Sequence, residues 1–338
     1  MKQNKSNIFI IAEISANHNN DFEIAVKTIQ AISDSGADAV KIQTFTPDSL
    51  TLDVDNEFFG PKKDGLWKGL RPFDVFSEGA MPYEWQPELK KITEDLGLLF
   101  FSSPFDKEGV DFLEKMDVPI YKIASFEITD IPLIEYIASK GKPMIISTGV
   151  ANLGDIELAV NACRNVGNHD ITLLKCTSEY PAPVDKANLL TIPNLRDTFG
   201  VKVGVSDHTM GSLVPVVAVA LGATVVEKHF ILDRNQGGPD ASFSMEPKEF
   251  HEMVMAVREA EKSLGTISYD VSEQNKLRRR SLFVTEDVKA GEVLSEKNVR
   301  SVRPGHGLPP NKLKEILGNK AAVDISKGTP LTWDLFIR

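Results

Sequence analysis

The sequence predicts a (β/α)8 barrel followed by a small β domain, and three observations lead to this prediction. Short apolar runs rich in β-branched residues recur along the first part of the 338-residue chain, as in parallel strands that are buried on both faces. Amphipathic segments lie between most of them, and eight such units over about 260 residues match the usual size of this fold. A doubly wound sheet is the alternative, but no Gly-x-Gly-x-x-Gly fingerprint of a dinucleotide site follows the first run.

The elements follow one another in a regular order. The predicted strands are Ile8–Ile14, Ala39–Gln43, Leu98–Phe101, Ile120–Ile123, Met144–Ile146, Ile171–Leu174, Val203–Val205 and Thr224–Val226. The predicted helices, in which apolar residues recur with a 3.6-residue period, are Asp21–Ser35, Lys107–Met116, Ile131–Ser139, Ile156–Val166, Ser212–Leu221 and Pro247–Leu264. Gly36 supplies a stop signal for the first helix.

One connection, between Gln43 and Leu98, is about twice as long as the others. Its segment 44–85 holds eight aromatic residues: Phe45, Phe58, Phe59, Trp67, Phe73, Phe76, Tyr83 and Trp85. Disordered segments are poor in aromatic residues. The segment is therefore expected to be either an ordered lid over a substrate or an additional packing element.

The C-terminal part of the chain has a different pattern. We assign residues 1–265 to the barrel, 266–280 to a polar linker that ends in a basic triplet, and 281–338 to a β domain. Asp287–Ser295 and Asp324–Thr332 match as an internal repeat, each with an apolar residue, a Gly turn and a short strand. Two such copies predict a pseudo-symmetric fold.

Composition excludes several classes of protein. The chain is 42% hydrophobic and 25% charged with a net charge of −10, so we expect no general binding to nucleic acid or to anionic membranes. No apolar run is long enough to span a bilayer and no signal peptide is recognised. Two cysteines are too few for a disulfide framework, which favours the reducing cytoplasm.

Polar residues cluster where the predicted strands end, which is where barrel active sites form. Every one of the eight strand ends carries Lys, Glu, His or a hydroxyl, as in Lys41-Ile-Gln43, Ser147-Thr-Gly and Glu227-Lys-His229. Residues at i and i+2 share a face of a strand, so both members of the Lys41/Gln43 and Glu227/His229 pairs can point into one pocket.

Two histidines are candidate metal ligands. His208 follows the seventh strand and His229 ends the eighth, so they are neighbours at the barrel mouth. Two converging imidazoles begin a catalytic metal site, although two ligands fall short of a full motif; the alternative is one satisfied buried histidine and one surface histidine. His18 is a third candidate, whereas no metal role is expected for His169, His251 and His306.

The strand-end lysines point to an anionic reactant. Lys41 and Lys122 can offset the charge of a phosphate or carboxylate, and nearby hydroxyls (Ser102, Ser103, Ser125, Ser147) can donate to phosphate oxygens. A Schiff-base lysine, Lys122 or Lys175, as in a metal-free aldolase, is the competing chemistry.

As a set, these strand ends resemble the sialic acid synthase family, from the first strand to the C-terminus. The motifs that carry the resemblance are Ala-Glu13-Ile-Ser-Ala-Asn17-His18, Val-Lys41-Ile-Gln43-Thr, Ser102-Ser103-Pro-Phe, Tyr-Lys122-Ile-Ala-Ser125, Ser147-Thr-Gly, Cys-Thr177-Ser178-Glu-Tyr180-Pro, Ser206-Asp207-His208-Thr, Glu-Lys-His229-Phe and Gly-Pro-Asp240. The tail around Arg303-Pro-Gly-His-Gly is similar to the family's antifreeze-like (SAF) domain, a β-clip fold.

The resemblance implies an activity and a set of roles. The family condenses phosphoenolpyruvate with an N-acetylated amino sugar, using manganese or another divalent ion such as Mg²⁺ or Co²⁺. It implies that His208 and His229 bind the metal and that phosphoenolpyruvate lies among Lys41, Ser103, Lys122, Ser125, Ser147 and Ser206. It places Glu13, Gln43, Tyr180 and Asp240 near the sugar and the reacting centre, with Glu13 either transferring a proton or binding a hydroxyl. Ser178 is a further candidate for substrate binding. It also implies a domain-swapped homodimer in which Arg303 comes from the partner chain.

Within that family the sequence looks most like the branch that makes pseudaminic acid. Asp53–Phe59, Leu66–Gly69, Pro82–Gln86 and Ala124–Asp130 carry this likeness, while Met81 and Tyr83 differ from the residues usual in the branch. Ser178 stands where the N-acetylneuraminate branch usually has Asn. The alternatives are an N-acetylneuraminate or legionaminic acid synthase, a non-catalytic sugar-binding barrel, and the Schiff-base aldolase.

Overall fold

A computed structural model describes residues 6–65 and 67–337 of the chain. Tertiary contacts divide the chain after Gly265 into two compact units, residues 1–265 and 266–338. Among the described residues no helix is long and apolar enough to cross a membrane.

The first unit is a closed barrel of eight parallel strands, which confirms the predicted fold class. The strands are Phe9–Glu13 (β1), Ala39–Thr44 (β2), Leu99–Pro104 (β3), Tyr121–Ile123 (β4), Met144–Ser147 (β5), Ile171–Cys176 (β6), Lys202–Ser206 (β7) and Val225–His229 (β8). Several strands run further than their apolar cores suggested, because polar residues such as Glu227 and His229 still pair in the ladder. The polar strand ends are therefore held as rigidly as the apolar parts.

Helices on the outside of the barrel connect the strands. They are Phe22–Ser35 (α1), Pro47–Leu50 (α2), Pro72–Gly79 (α3), Gln86–Asp95 (α4), Lys107–Lys115 (α5), Ile131–Ala138 (α6), Leu153–Asn165 (α7), Thr191–Phe199 (α8), Leu213–Ala220 (α9) and Pro247–Leu264 (α10). Helix α1 begins where Asp21 accepts hydrogen bonds from the amides of Glu23 and Ile24. Neither α4 nor α8 was predicted from the apolar periodicity: α4 buries the polar residues Gln86 and Thr93, and α8 carries Pro193 in its first turn.

Segment 44–85 folds into the short helices α2 and α3 and a 3-10 turn at Tyr83–Trp85. Its rings pack edge to face on one another and on the barrel: Phe45 contacts Phe76 and Phe105, and Trp67 contacts Phe76. The predicted aromatic segment is thus part of the packed barrel domain.

The barrel interior consists of two layers with opposite chemistry. The lower one, here the floor layer, is apolar and consists of Ile11, Ala39, Phe101, Ile120, Ile145, Leu174, Gly204 and Val225. Two residues further along each strand is the polar layer, which is buried throughout and consists of Glu13, Lys41, Ser103, Lys122, Ser147, Cys176, Ser206 and Glu227. Because side chains alternate along a strand, both layers face the same interior.

The second unit contains helices Glu273–Leu277 (α11) and Leu313–Ile316 (α12) and strands Ser281–Val284 (β9), Val299–Val302 (β10), Lys320–Ala321 (β11) and Phe336–Ile337 (β12). Helix α11 lies inside the segment expected to be a linker. The two repeat copies pair reciprocally: Asp324 accepts from the amide of Ala290, and Asp287 accepts from the amide of Lys327. This exchange gives the unit the pseudo-symmetry that the repeat predicted.

Candidate active site

A cavity of about 550 Å³ opens at the C-terminal end of the barrel, above the polar layer. Of the predicted site residues, it is lined by Glu13, Lys41, Gln43, Lys122, Ser125, Ser147, Ser178, Tyr180, Ser206, His208, His229 and Asp240. Ser103 is buried beneath it in the polar layer, and Arg303 belongs to the second unit. The strand ends therefore do converge on one pocket.

Lys41 lies between two buried carboxylates. Its Nζ is 2.9 Å from Glu13 Oε2 and 3.2 Å from Glu227 Oε1. Burial alone would lower the pKa of Lys41, but the two carboxylates raise it above its ordinary value. Lys41 is therefore a fixed cation whose charge is largely balanced by Glu13 and Glu227.

Lys122, on β4, has a different environment from Lys41 on β2. Its Nζ donates to Ser147 Oγ at 2.6 Å and to the carbonyl of Ile123 at 2.8 Å, while the carboxylate of Glu227 is 3.8 Å away. Burial lowers its pKa, and the attraction of Glu227 does not fully compensate. Lys122 is the less neutralised of the two lysines, and an incoming anion would stabilise its charge.

The two candidate metal ligands are adjacent at the mouth of the barrel. The imidazole centroids of His208 and His229 are 5.2 Å apart, and the rings of Tyr180 and Phe243 pack against them. Both histidines are buried. The predicted adjacency is confirmed, and aromatic rings restrict how either imidazole can turn.

A buried ion pair outside the barrel interior holds the loop that carries His208. Lys228 Nζ is 2.7 Å from Asp207 Oδ2, and Asp207 also accepts hydrogen bonds from the amide and hydroxyl of Thr209. Lys228 in turn donates to the carbonyl of Thr209. The residues on both sides of His208 are thereby fixed to strand β8.

Glu13 connects the lysine and the histidine parts of the site. Besides its ion pair with Lys41, it accepts a hydrogen bond from Gln43 Nε2 at 2.8 Å, and its Oε2 is 3.4 Å from His229 Nε2. Burial opposes ionisation, but Lys41 and His229 hold the pKa of Glu13 well below its usual range. Asp240, in the connection that follows β8, accepts a hydrogen bond from Ser15 Oγ, two residues after Glu13.

Gly149 allows three polar side chains to meet at one wall. A Cβ at this position would lie 2.1 Å from Ser178 Oγ, 2.8 Å from Ser125 Oγ and 3.1 Å from Cys176 Sγ. The amide of Gly149 donates to Ser125 Oγ at 3.2 Å. A residue without a side chain is therefore required for the hydroxyl-rich wall formed by the segments that follow β4, β5 and β6.

Several buried polar atoms at the site have no hydrogen-bond partner. They include Ser103 Oγ, Glu127 Oε2, Glu227 Oε2 and His229 Nδ1, together with Trp67 Nε1 in segment 44–85. Unpaired buried polar atoms are rare because each is costly. Their concentration around one cavity indicates a site prepared for a polar ligand.

Three site residues were absent from the predicted set. Glu227 was recognised by strand parity but given no role, and it contacts both lysines. Glu127 follows β4 and lines the cavity, where burial raises its pKa to about 7. Phe243 comes from the long β8–α10 connection, and no spacing in the sequence identifies it.

Other candidates lie elsewhere. His18 does not line the cavity; its ring nitrogens lie near the carbonyl of Gly79 and the amide of Asn20, and Trp85 packs on its edge, so it is a satisfied buried histidine. Lys175 lines a separate cavity with Asn188 and Leu190. Of the two candidate Schiff-base lysines, only Lys122 faces the main pocket.

The fit of the histidine pair to a divalent metal depends on the ring nitrogens that remain available and on the other ligands within reach. No group of three or more His, Cys, Asp or Glu residues within the described chain is arranged to hold a metal, so other ligands would have to be water or substrate. His208 Nδ1 is 3.0 Å from the carbonyl of Thr177, and donation there leaves the Nε2 lone pair free. His229 has a buried Nδ1 without a partner and a carboxylate beside Nε2. Imidazole nitrogens suit transition metals such as Zn²⁺ and Fe²⁺, and binding of Mn²⁺ would depend on additional oxygen ligands from water or substrate.

Comparison with known proteins gives consistent matches. The NeuB family matches residues 28–269 and the SAF domain matches residues 279–337. The chain is 46% identical to a pseudaminic acid synthase of Campylobacter jejuni over 96% of this chain and 95% of that protein, and 44% identical to one of Helicobacter pylori over 96% of each. A crystal structure of the N-acetylneuraminic acid synthetase of Leptospira borgpetersenii in complex with citrate superposes with a TM-score of 0.70 at 31% identity, covering 81% of this chain and 93% of that chain.

Proposed function

Because this chain belongs to the NeuB family and ends in a SAF domain, we propose that it is a pseudaminic acid synthase. It condenses phosphoenolpyruvate with 2,4-diacetamido-2,4,6-trideoxy-L-altrose to give pseudaminic acid and phosphate. The observation that carries the proposal is the joint placement of Lys122, the Lys41 carboxylate pair and the two histidines in one cavity.

Phosphoenolpyruvate binds at the β4–β7 side of the cavity. Lys122 is the buried cation with the weakest carboxylate contact, and Ser147 is already within hydrogen-bond distance of it. The hydroxyls of Ser125, Ser178 and Ser206 line the same side and can donate to carboxylate or phosphate oxygens. Lys41 also fixes Glu13 and Glu227, and the free Oε2 of Glu227 can accept a hydrogen bond from a substrate or water.

His208 and His229 would hold a divalent ion. Their burial and adjacency at the barrel mouth support the proposal of a metal-dependent enzyme. When bound there, such an ion supplies Lewis-acid polarisation of the sugar aldehyde. The chain contributes orientation: the Thr177 carbonyl sets the tautomer of His208, and Tyr180 and Phe243 hold both rings in place.

The bond changes follow from this placement. The methylene carbon of phosphoenolpyruvate attacks the aldehyde carbon and forms the new C–C bond, while positive charge develops at the adjacent carbon. Water adds to that carbon and gives one proton to the alkoxide formed from the aldehyde oxygen. The C–O bond to phosphate then breaks, and the departing phosphate takes the remaining hydroxyl proton to leave the keto acid. Glu13 is held beside His229 with three contacts, so it is placed to accept a hydrogen bond from a sugar hydroxyl and to keep His229 oriented.

Arg303 completes the site from a second copy of the chain. Its side chain is exposed in the described chain. We assign it to the mouth of the partner's barrel in a swapped homodimer, where its guanidinium would bind a substrate anion.

The test supplies the protein with phosphoenolpyruvate, Mn²⁺ and each candidate aldose in turn, with phosphate release and product mass as readouts. The proposal expects turnover with the diacetamido-trideoxy-altrose. Turnover with N-acetylmannosamine and none with the altrose would overturn the pseudaminic assignment. If none of the candidate sugars is turned over, the protein would instead be a non-catalytic sugar-binding barrel. Activity that survives a chelator and is lost with borohydride plus substrate would indicate the Schiff-base aldolase instead.

A further inference from the structure

One wall of the active-site cavity consists of aromatic rings. Phe45, Trp67, Phe76 and Phe105 all line it, with ring centroids 5.4 Å apart for Phe45 and Phe105, 6.2 Å for Phe45 and Phe76, and 6.0 Å for Trp67 and Phe76. Leu50 and Val75 line the same cavity. We call Phe45, Phe76 and Phe105 the aromatic wall.

The Phe105 end of the aromatic wall lies across the barrel mouth from the histidines. Phe45 directly follows β2 and Phe105 directly follows β3, whereas His208 follows β7 and His229 ends β8. In a closed ring of eight strands, Phe105 after β3 is diametrically opposite β7 and three strands from β8, whereas Phe45 after β2 is three strands from β7 and two from β8. A sugar whose aldehyde carbon lies at the histidines extends its far end toward this wall.

The chemistry of the wall suits an alkyl group. Phe45 is buried and the rings of Phe76 and Phe105 are half-buried, and none of the three side chains can hydrogen-bond. Lys62 and Asp64 line the same cavity but are exposed residues of segment 44–85. A hydroxyl pressed against Phe45, Phe76 or Phe105 would lose its water without gaining a partner from that ring. Trp67, which packs on Phe76, is left out of the aromatic wall because its buried Nε1 has no hydrogen-bond partner and could donate to a hydroxyl.

We infer that the aromatic wall selects the sugar by its terminal carbon, accepting the 6-methyl group and discriminating against a 6-hydroxymethyl group. The inference rests on the proposed function and adds the specificity-determining residues. It also explains the position of segment 44–85, because α3 carries Phe76 and the segment thereby supplies part of the sugar site.

The test compares two substrates that differ by one hydroxyl, 2,4-diacetamido-2,4,6-trideoxy-L-altrose and its 6-hydroxy analogue, by kcat/KM. The wild type should prefer the 6-deoxy sugar about 10- to 100-fold, the range in which an apolar pocket rejects an added hydroxyl. Phe105→Tyr and Phe76→Tyr each place a hydroxyl at the wall, and at least one should reduce this ratio about tenfold. Phe58→Tyr is the matched control, because Phe58 is exposed on the same segment and does not line the cavity.

The outcomes distinguish failure of this inference from failure of the proposed function. If the wild type turns over neither sugar, the proposed function fails. If it turns over the 6-deoxy sugar but both wall variants keep the wild-type ratio, the enzyme assignment holds and the aromatic wall is not the selector. A wild type without preference between the two sugars, or an equal change of the ratio in Phe58→Tyr, would also overturn the inference.

Discussion

The floor layer and the polar layer of the barrel interior belong to the same eight strands and are only two residues apart, yet their chemistry is opposite. The floor layer is made of apolar side chains and Gly204. The polar layer buries two lysines, two glutamates, three serines and a cysteine. Ionisable groups are rarely buried unless paired, and a barrel that had only to pack could continue the apolar layer upward. The difference teaches that the lower layer serves packing, whereas the ionisable groups that we propose for catalysis are concentrated directly above it.

The comparison is tested most strongly by one substitution in each layer. Lys122→Met should lower kcat/KM about a hundred- to a thousandfold, because it removes the cation available to phosphoenolpyruvate, while leaving the melting temperature unchanged or raised. Leu174→Ala should destabilise the barrel by about 2–5 kcal/mol and leave the kcat of the folded fraction near the wild-type value. Thermal unfolding and phosphate-release kinetics on both variants check this. A Lys122→Met variant with normal kcat/KM would contradict a catalytic role for the polar layer.

The next largest effect is expected outside the interior, at the ion pair that holds the His208 loop. Lys228→Met leaves Asp207 buried without its cation and should cost about 3–5 kcal/mol. The melting temperature reports the loss, and the double variant Lys228→Met/Asp207→Asn should recover part of it. An unchanged melting temperature in the single variant would show that the loop does not depend on this pair.

A smaller effect is expected from a single methyl group in the hydroxyl-rich wall. Gly149→Ala places a Cβ against Ser178 and Ser125, so it should lower kcat/KM about 10- to 100-fold by displacing groups that position phosphoenolpyruvate. Gly154→Ala, in helix α7 and outside the cavity, is the matched control and should keep full activity. Equal kinetics in both variants would contradict a role for this wall.

The smallest expected effect is the pH dependence conferred by Glu127. Burial raises its pKa to about 7, and the charge of Asp130 contributes in the same direction. A backbone hydrogen bond and the charges of Lys122 and Lys41 lower the pKa but do not compensate for burial. In the unfolded chain the Glu127 carboxyl ionises near pH 4.3. The free energy of unfolding therefore falls as pH rises from about 4 to 7, because the folded state resists this ionisation. Glu127→Gln should therefore raise the melting temperature at pH 8 and have little effect at pH 4. A difference that is the same at both pH values would contradict this account.

The barrel and the convergence of its polar strand ends on one cavity could be predicted because both depend on local patterns. Apolar runs marked the strands, and the parity of Lys41/Gln43 and Glu227/His229 correctly placed each pair on one face. The adjacency of His208 and His229 followed from strand order alone.

What the sequence did not predict depends on long-range packing. Glu227 became a partner of two lysines only when β2, β4 and β8 met around the barrel axis. Phe243 reaches the histidines through a connection without periodicity. The helices α4 and α8 bury polar residues or include a proline, which weakens the apolar pattern on which their prediction depends.

The proposed catalytic site is tested most directly by phosphate release from the variants His208→Ala and His229→Ala. Each variant is supplied with phosphoenolpyruvate, Mn²⁺ and the diacetamido-trideoxy-altrose, and its melting temperature is measured in parallel. Both imidazoles lie above the polar layer and outside the floor layer, so each variant should remain folded with a melting temperature within a few degrees of the wild type and release no phosphate above background. A folded variant that releases phosphate at the wild-type rate would contradict the central claim that the histidine pair and the polar layer form the catalytic site.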